Sequence, residues 1–318
     1  MSEKTYLVTG VAGLIGSHVA ERLVNRGDAV VGLDNFNDYY DTRQKRDNVA
    51  GLIDGPRFTL VEADLRDAAA TTSLVADHKP AAIAHLGAMA NVRYSIGRAP
   101  LYHDVNITGS LNLLEAAIGH GHPNFVFAST SSVYGNTARL PFVEDDPCGQ
   151  PLAPYPATKR AVELLGHSYH NLHELAFTAL RFFSVYGPRA RPDMMPFMVT
   201  DRVAKGETIK LFNAGEMQRD WTYVDDIVDG VVAALDRPMG YEIVNLGRGE
   251  PVLMRDFVTI VEELVGKPAV LDTPPAPPSE PVITYADVSK ARELLGYDPK
   301  TGVRAGLERL WDWYRALT

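Results

Sequence analysis

A short apolar run, Thr5–Thr9, breaks directly into Thr9-Gly10-Val11-Ala12-Gly13-Leu14-Ile15-Gly16, and a helical pattern starts at Leu14. That junction constrains the chain more than any other feature. Glycines at 10, 13 and 16 permit a tight turn, a close backbone approach and close packing of helix on strand. A helix opening there directs free N–H groups and the positive end of its dipole at one point, which suits a pyrophosphate. The common dinucleotide fingerprint spaces its glycines by two and three, and here the spacing is three and three. A plain strand–turn–helix would also satisfy the pattern.

The context is more specific. The next apolar run, Ala29–Asp34, ends in a carboxylate placed to accept hydrogen bonds from an adenosine ribose. The same charge would repel a 2′-phosphate, so NAD is expected over NADP. Arg43, Lys45 and Arg46 follow at a distance where they could soften that preference. Asp64-Leu65 closes a third run and suits either the adenine edge or an ordinary strand-end turn.

Runs at Arg57–Val61, Ala81–Leu86, Asn124–Ser129 and Thr178–Phe182 also read as strands, apolar throughout as burial on both faces requires. Helical stretches at Leu14–Asn25, Ala68–His78, Ser110–Gly119 and Thr158–Leu172 lie between most of them. The alternation predicts an α/β fold with a doubly wound parallel sheet. After residue 183 the pattern loosens at prolines 188, 192 and 196. Pro274-Pro275-Ala276-Pro277-Pro278 is expected to bend back into the fold rather than serve as a polyproline ligand, because helices at Val288–Leu295 and Val303–Leu317 follow. Trp311 and Trp313 are expected to pack the last of these.

Composition narrows the function classes. With 31 basic and 40 acidic residues the net charge is −9, and the pI of 5.5 lacks the basic field that nucleic-acid binding needs. The single cysteine, Cys148, excludes an internal disulfide framework and fits a reducing compartment. No run approaches the roughly 18 apolar residues of a membrane span. Met1-Ser2-Glu3-Lys4 leads straight into the first strand with no signal-peptide pattern. A cytoplasmic enzyme is expected, with neither nucleic acid nor membrane as a partner.

Tyr155 and Lys159 stand four apart near the start of a helical pattern and project from one face. An ammonium beside a phenol favours the phenolate, so the tyrosine pKa is expected to fall from about 10 toward neutrality. Such a phenol is a candidate acid/base for alcohol–ketone interconversion. Ser129-Thr130-Ser131-Ser132 follows the fifth strand at the carboxyl edge of the sheet, where α/β ligands bind. A hydroxyl there could share the substrate's proton.

With these residues in place, the chain resembles the extended short-chain dehydrogenase/reductase family, and within it the nucleotide-sugar epimerases. The likeness covers nearly the whole length. Beyond the glycines and Thr130, Tyr155 and Lys159, it runs through His85-Leu86-Gly87-Ala88, the stretch from Asn106 to Ala116, and Val133-Tyr134-Gly135. Leu180-Arg181-Phe182-Phe183-Ser184-Val185-Tyr186-Gly187-Pro188 and the stretch from Arg219 to Asp226 continue it. The resemblance implies a Rossmann-type NAD domain over 1–183 and a smaller UDP-sugar lobe over 184–318, part of which returns to the first domain. It also implies a homodimer. NAD contacts are implied at Gly10, Gly13, Leu14, Ile15, Gly16, Asp34, Asn35, Asp64, Leu65, Leu86, Ala88, Asn106, Tyr155 and Lys159.

Three stretches are most similar to UDP-glucuronate 4-epimerases: Asp34 to Asp41 with Lys45-Arg46, Val92-Arg93-Tyr94-Ser95, and Gly187 to Met194. This likeness implies Thr130, Tyr155 and Lys159 as the catalytic set. It implies Ser131, Ser132, Ser184 and Arg191 around a sugar carboxylate, Arg93 and Thr130 also toward the substrate, and Arg219 on the diphosphate. The implied reaction takes hydride from sugar C4 to NAD and returns it to the other face of the 4-ketone. Departures are Pro156, where a small residue is usual, and Ser279-Glu280-Pro281, which replaces a Pro-Gly-Asp-like turn.

Related dehydratases carry an Asp-Glu pair after the threonine, and related decarboxylases a glutamate just before Val-Tyr-Gly. Ser131 and Ser132 occupy those places and disfavour both activities. A 4-epimerase of a neutral UDP-sugar such as UDP-glucose remains an alternative. A non-catalytic NAD-sensing protein is disfavoured, because Tyr155 and Lys159 are both present. His167, His170 and His173 share a helix but lack the companions of a metal site, and none is expected. Met194, Met195, Met198 and Phe197 are read as padding of the substrate lobe or core. Phe182 and Phe183 fit either a nicotinamide wall or plain core.

Overall fold

The computed structural model describes residues 4–277 and 281–317. Met1, Ser2 and Glu3, Pro278, Ser279 and Glu280 of the proline-rich loop, and Thr318 lie outside the described residues. Six strands come within one residue of the predicted runs: β1 (Thr5–Thr9), β2 (Ala29–Asp34), β3 (Phe58–Glu62), β4 (Ala82–His85), β5 (Asn124–Thr130) and β6 (Phe177–Phe182). Beyond them follow β7 (Ser184–Tyr186), β8 (Thr208–Lys210), β9 (Gln218–Tyr223), β10 (Tyr241–Leu246), β11 (Pro251–Leu253), β12 (Val270–Asp272) and β13 (Ile283–Thr284).

The central sheet has seven strands in the order β10-β6-β5-β4-β1-β2-β3, all parallel. The expected doubly wound fold is borne out. Chain order reverses between β1 and β4, which opens a crevice at the carboxyl ends of those strands. Two small sheets, β11-β9-β13 with β7 on β9 and β12-β8, form the lobe above that edge.

The helices are α1 (Leu14–Arg26), α2 (Thr42–Ile53), α3 (Ala68–His78), α4 (Val92–Ser95), α5 (Ala99–Tyr102) and α6 (Gly109–Gly119). They continue as α7 (Pro154–His173), α8 (Met195–Lys205), α9 (Val224–Asp236), α10 (Met254–Val265), α11 (Ser289–Leu295) and α12 (Val303–Leu317). A π-helical segment, His103–Thr108, feeds α6. Alternate strand residues bury against opposite layers: Val8, Val30 and Val126 on one face, Leu7, Val31 and Phe125 on the other. Continuous apolarity of the strands is the consequence.

Helices α2 and α7 are among those that depart from the sequence expectation. Helix α2 was not predicted, because its polar face is wide and its buried side holds only Lys45, Asn48, Val49 and Leu52. Helix α7 starts at Pro154 rather than Thr158. Pro154 and Pro156 occupy a first turn whose N–H groups have no helical partner to lose, so both are tolerated there.

Part of the later chain packs against the first half. Strand β10 pairs with β6, and α9 packs on α1. Tyr6 donates to Asp236 at 2.9 Å, and Asn124 donates to the Ala234 carbonyl at 2.9 Å. The described part of the proline loop bends inward: Asn213 N–H donates to Pro274 O at 2.9 Å, and its Oδ1 accepts from Ala276 N at 2.9 Å. Trp313 packs on Phe197 and Trp311 stacks on Tyr314. Burial pushes the Cys148 thiol up to about 12, which leaves it inert. His167 meets the Tyr241 ring edge-on, and among the described residues no group of three or more potential metal ligands occurs. Among the described residues no helix is long and apolar enough to cross a membrane.

Candidate active site

The glycine loop is built for backbone contact. Gly10 has φ +67°, and a Cβ there would stand 2.7 Å from Gly87 Cα. A Cβ on Gly16 would stand 2.2 Å from Gly10 O, so strand and helix can meet only without side chains. Helix α1 opens at Gly13, with no side-chain cap on its first N–H groups. Those donors are what an anion would satisfy.

Beside the loop, the buried Asp34 carboxylate accepts from Ala12 N at 3.1 Å and Phe36 N at 2.9 Å. Burial raises its pKa, while the two N–H groups and Lys45 oppose that rise. Of the three cations in the following stretch, Arg43 and Arg46 are engaged elsewhere, while Lys45 lines the cavity near Asp34. Arg43 pairs with Asp41, Arg46 with Glu62, and Lys45 donates to Asn37 O at 2.6 Å and Oδ1 at 2.9 Å. Asp64 accepts from Arg66 and from Asn35 Nδ2 at 2.9 Å, and Arg66 holds its carboxyl well below the usual range.

One cavity of about 510 Å³ runs from this loop along the carboxyl edge of the sheet to α8. It collects Gly10, Gly13, Leu14, Ile15, Gly16, Asp34, Asn35, Asp64, Leu65, Leu86, Ala88, Thr130, Tyr155, Lys159, Ser184 and Arg191. Five expected site residues do not line it. Asn106 sits behind the wall, accepting from Met89 N at 2.8 Å and donating to Thr158 Oγ1 at 3.0 Å. It therefore ties the loop after β4 to the first turn of α7. Ser131 and Ser132 form a 3₁₀ turn behind Thr130. Arg93 is exposed over the Phe212 ring, and Arg219 on β9 donates to Gln218 O at 2.8 Å.

Tyr155 and Lys159 are buried on one face of α7, with the Thr130 hydroxyl close enough to the Tyr155 phenol to favour its ionised form. The expected fall in the phenol pKa is not found. Burial raises it, and the opposing pulls come from the Thr130 hydrogen bond and the charge of Arg191, not from Lys159. The reason is that Lys159 shares the burial: its pKa drops to about 7 through desolvation, with Glu163 resisting. Its ammonium stands 4.6 Å over the Phe127 ring.

Glu163, one turn further along α7, is fully buried. It accepts Ser129 Oγ at 2.5 Å and both Nε and Nη2 of the buried Arg181 at 2.9 Å. This fixes β5, β6 and α7 in one frame. Near the cavity mouth, Arg191 donates through Nε to Asp193 Oδ1 at 2.7 Å and through Nη2 to Ala90 O.

Met89, Ala90, Asn91 and Trp221 also line the cavity and were missed in the sequence. Met89, Ala90 and Asn91 continue from Ala88 at the carboxyl end of β4, a position that was itself the available signal. For Trp221 the available signal was its place in the Arg219–Asp226 stretch of the family likeness. Phe182 and Phe183 both line the cavity and belong to the core.

Residues 6–247 match the model of the NAD dependent epimerase/dehydratase family. A UDP-glucuronate 4-epimerase of Thermodesulfobacterium geofontis is 41% identical over 97% of this chain and 95% of its own. A crystal structure of the UDP-glucuronic acid 4-epimerase from Bacillus cereus, in complex with UDP-glucuronic acid and NAD, superposes with a TM-score of 0.92. It is 35% identical and covers 99% of this chain and 100% of that one. A UDP-glucose 4-epimerase from Thermotoga maritima gives a TM-score of 0.89 at 30% identity, covering 98% of this chain and 99% of that one. With its glycine loop, parallel sheet and cavity arranged as described, and likeness running along its whole length, the chain belongs to the NAD dependent epimerase/dehydratase family.

Proposed function

We propose that this protein interconverts UDP-glucuronate and UDP-galacturonate by inverting sugar C4, with NAD as its resident cofactor. One observation carries the reading: Arg191 and the Thr130–Tyr155 pair converge on the cavity that begins at the glycine loop. The Bacillus cereus relative, solved with UDP-glucuronic acid and NAD, supports it.

The residues present fit NAD. The cradle at Gly10 and Gly16 has no room for a Cβ, and Asp34 lines the cavity beside it as an acceptor for a ribose diol. When bound, NAD supplies a reversible hydride acceptor, so the sugar passes through a 4-ketone with no net oxidation. Tyr155 takes the proton from the 4-hydroxyl and returns it to the inverted oxygen, with Thr130 holding the phenol in line. Arg191 lowers the cost of the phenolate in this buried setting, and Lys159 exchanges its own proton near neutrality.

The ketone is a β-keto acid, since C5 bears the carboxylate next to the C4 carbonyl. It loses carbon dioxide when the C5–carboxylate bond stands perpendicular to the carbonyl plane. The planar fork of Arg191 suits the task of holding the carboxylate near that plane, and the Ser184 hydroxyl on the same wall can exchange contacts as the ring turns. Residues 1–183 serve NAD and residues 184–318 mainly the UDP-sugar. The enzyme works in the cytoplasm and as a homodimer, the second of these supported by Leu164 and Leu172, 56% and 69% exposed on the outer face of α7.

Incubation with UDP-glucuronate without added NAD, followed by chromatographic separation, is expected to yield UDP-galacturonate. Exclusive turnover of UDP-glucose would transfer the assignment to a neutral-sugar epimerase.

A further inference from the structure

Three separate segments meet on a single carboxylate at the mouth of the cavity. Asp193 Oδ2 accepts from Tyr39 Oη at 2.6 Å, in the stretch after β2, and from Asn91 Nδ2, in the stretch after β4. Its Oδ1 accepts from Arg191 Nε at 2.7 Å, and the Arg191 guanidinium lies 5.9 Å from the Tyr39 ring centre. The same loop is tied again to the cofactor half by Gln44, which donates to Ala190 O at 2.8 Å, and by the Arg189–Glu21 ion pair at 2.8 Å. The Arg191 and Asp193 side chains are 24% and 34% exposed, which places the knot at the rim rather than in the core.

The geometry points to Asp193 as a positioning and specificity residue, one that sets Arg191 in advance as the receptor for the sugar carboxylate. This deepens the functional reading above and rests on it. A guanidinium has five N–H donors. The bonds to Asp193 and Ala90 use Nε and Nη2, and neither uses Nη1. An arginine already held in its bound geometry loses less freedom when a second carboxylate arrives. Because Tyr39 and Asn91 belong to the cofactor half, that grip exists only when the loop carrying Arg191 is docked across the cavity. The closed arrangement and the selection of an acidic sugar are thus one event. Asp193 neither touches the reacting carbon nor carries its proton, so its effect belongs to binding.

The test compares Asp193→Ala and Asp193→Asn with the parent enzyme loaded with NAD. Calorimetry gives Kd for UDP-glucuronate and UDP-glucose, and turnover assays give kcat, KM and any UDP-pentose released by decarboxylation. Asp193→Ala is expected to weaken UDP-glucuronate binding by at least about tenfold, as when a charged group loses an ordering hydrogen bond. UDP-glucose and NAD affinities should not change, UDP-pentose should increase, and Asp193→Asn should recover part of the loss. Equal losses on both sugars, or a parallel loss of NAD affinity, would make Asp193 a scaffold residue and overturn the proposal. Tighter binding of UDP-glucuronate by Asp193→Ala would overturn it too, since Asp193 would then compete with the sugar for Arg191. A parent enzyme inactive on UDP-glucuronate sinks the functional reading itself, a result visible before any variant is made.

Discussion

Tyr155 is held by its ring as much as by its oxygen, with Tyr102 edge-on at 6.2 Å and Thr130 on the hydroxyl. Tyr155→Phe keeps the ring and removes the proton carrier. Turnover should fall roughly 10²–10⁴-fold, the usual worth of one general acid/base, while calorimetric binding of the UDP-sugar persists. Lys159 offers a second check through pH. Its folded pKa of about 7 lies below the ordinary 10.5, because burial disfavours the ammonium. Between those values the unfolded chain binds more protons, so this group's contribution to stability rises with pH across that window. Lys159→Met has no proton to lose. Its melting temperature, followed from neutral to alkaline pH against the parent, should show a flatter rise. That Thr130, Tyr155 and Lys159 line one cavity was legible because a helical spacing of four and a strand-end hydroxyl are local facts. The direction of the Tyr155 shift was not, since the desolvation of both Tyr155 and Lys159 is set by segments far away in sequence.

Helix α7 joins these residues to the fold. Tyr155, Lys159 and Glu163 descend its inner face, and the next turn carries Gly166 against the Phe177 ring. A Cβ at Gly166 would stand 2.3 Å from Phe177 Cε1, closer than packed atoms allow. Gly166→Ala gains about 1 kcal/mol of helix propensity but forces an overpacked contact costing typically about 1–3 kcal/mol. A net drop in melting temperature is expected by scanning calorimetry, with NAD affinity retained if the inner face keeps its register. Strand β1 and helix α3 match their expected bounds to the residue. Helix α2 was not predicted, because its residues are mostly polar and its start depends on an Asp41 side chain accepting from Arg43 N. The four residues missing from the predicted start of α7 are those where prolines mask a helical turn.

For the molecule as a whole, the homodimer proposed above rests on the exposed Leu164 and Leu172 of α7. Replacing Leu164 and Leu172 together by Glu should shift sedimentation velocity from dimer to monomer while NAD still binds. Failure to shift would place the subunit contact elsewhere. Strand–helix alternation made the doubly wound sheet legible through β6. The whereabouts of its last strand were not, because Tyr241–Leu246 is one short run among many after residue 183 and its partner is set by tertiary pairing. That pairing has a consequence for anyone who would remodel this enzyme. The small sheets are threaded, not appended: the chain leaves the central sheet after β6, returns to it as α9 and β10, and leaves once more. A transplant of new sugar specificity from a relative must therefore be spliced in as two separate inserts, 184–223 and 248–317, around a retained 224–247. A single cut after residue 183 would carry away a strand of the central sheet with the graft, and leave the recipient with a raw edge along β6.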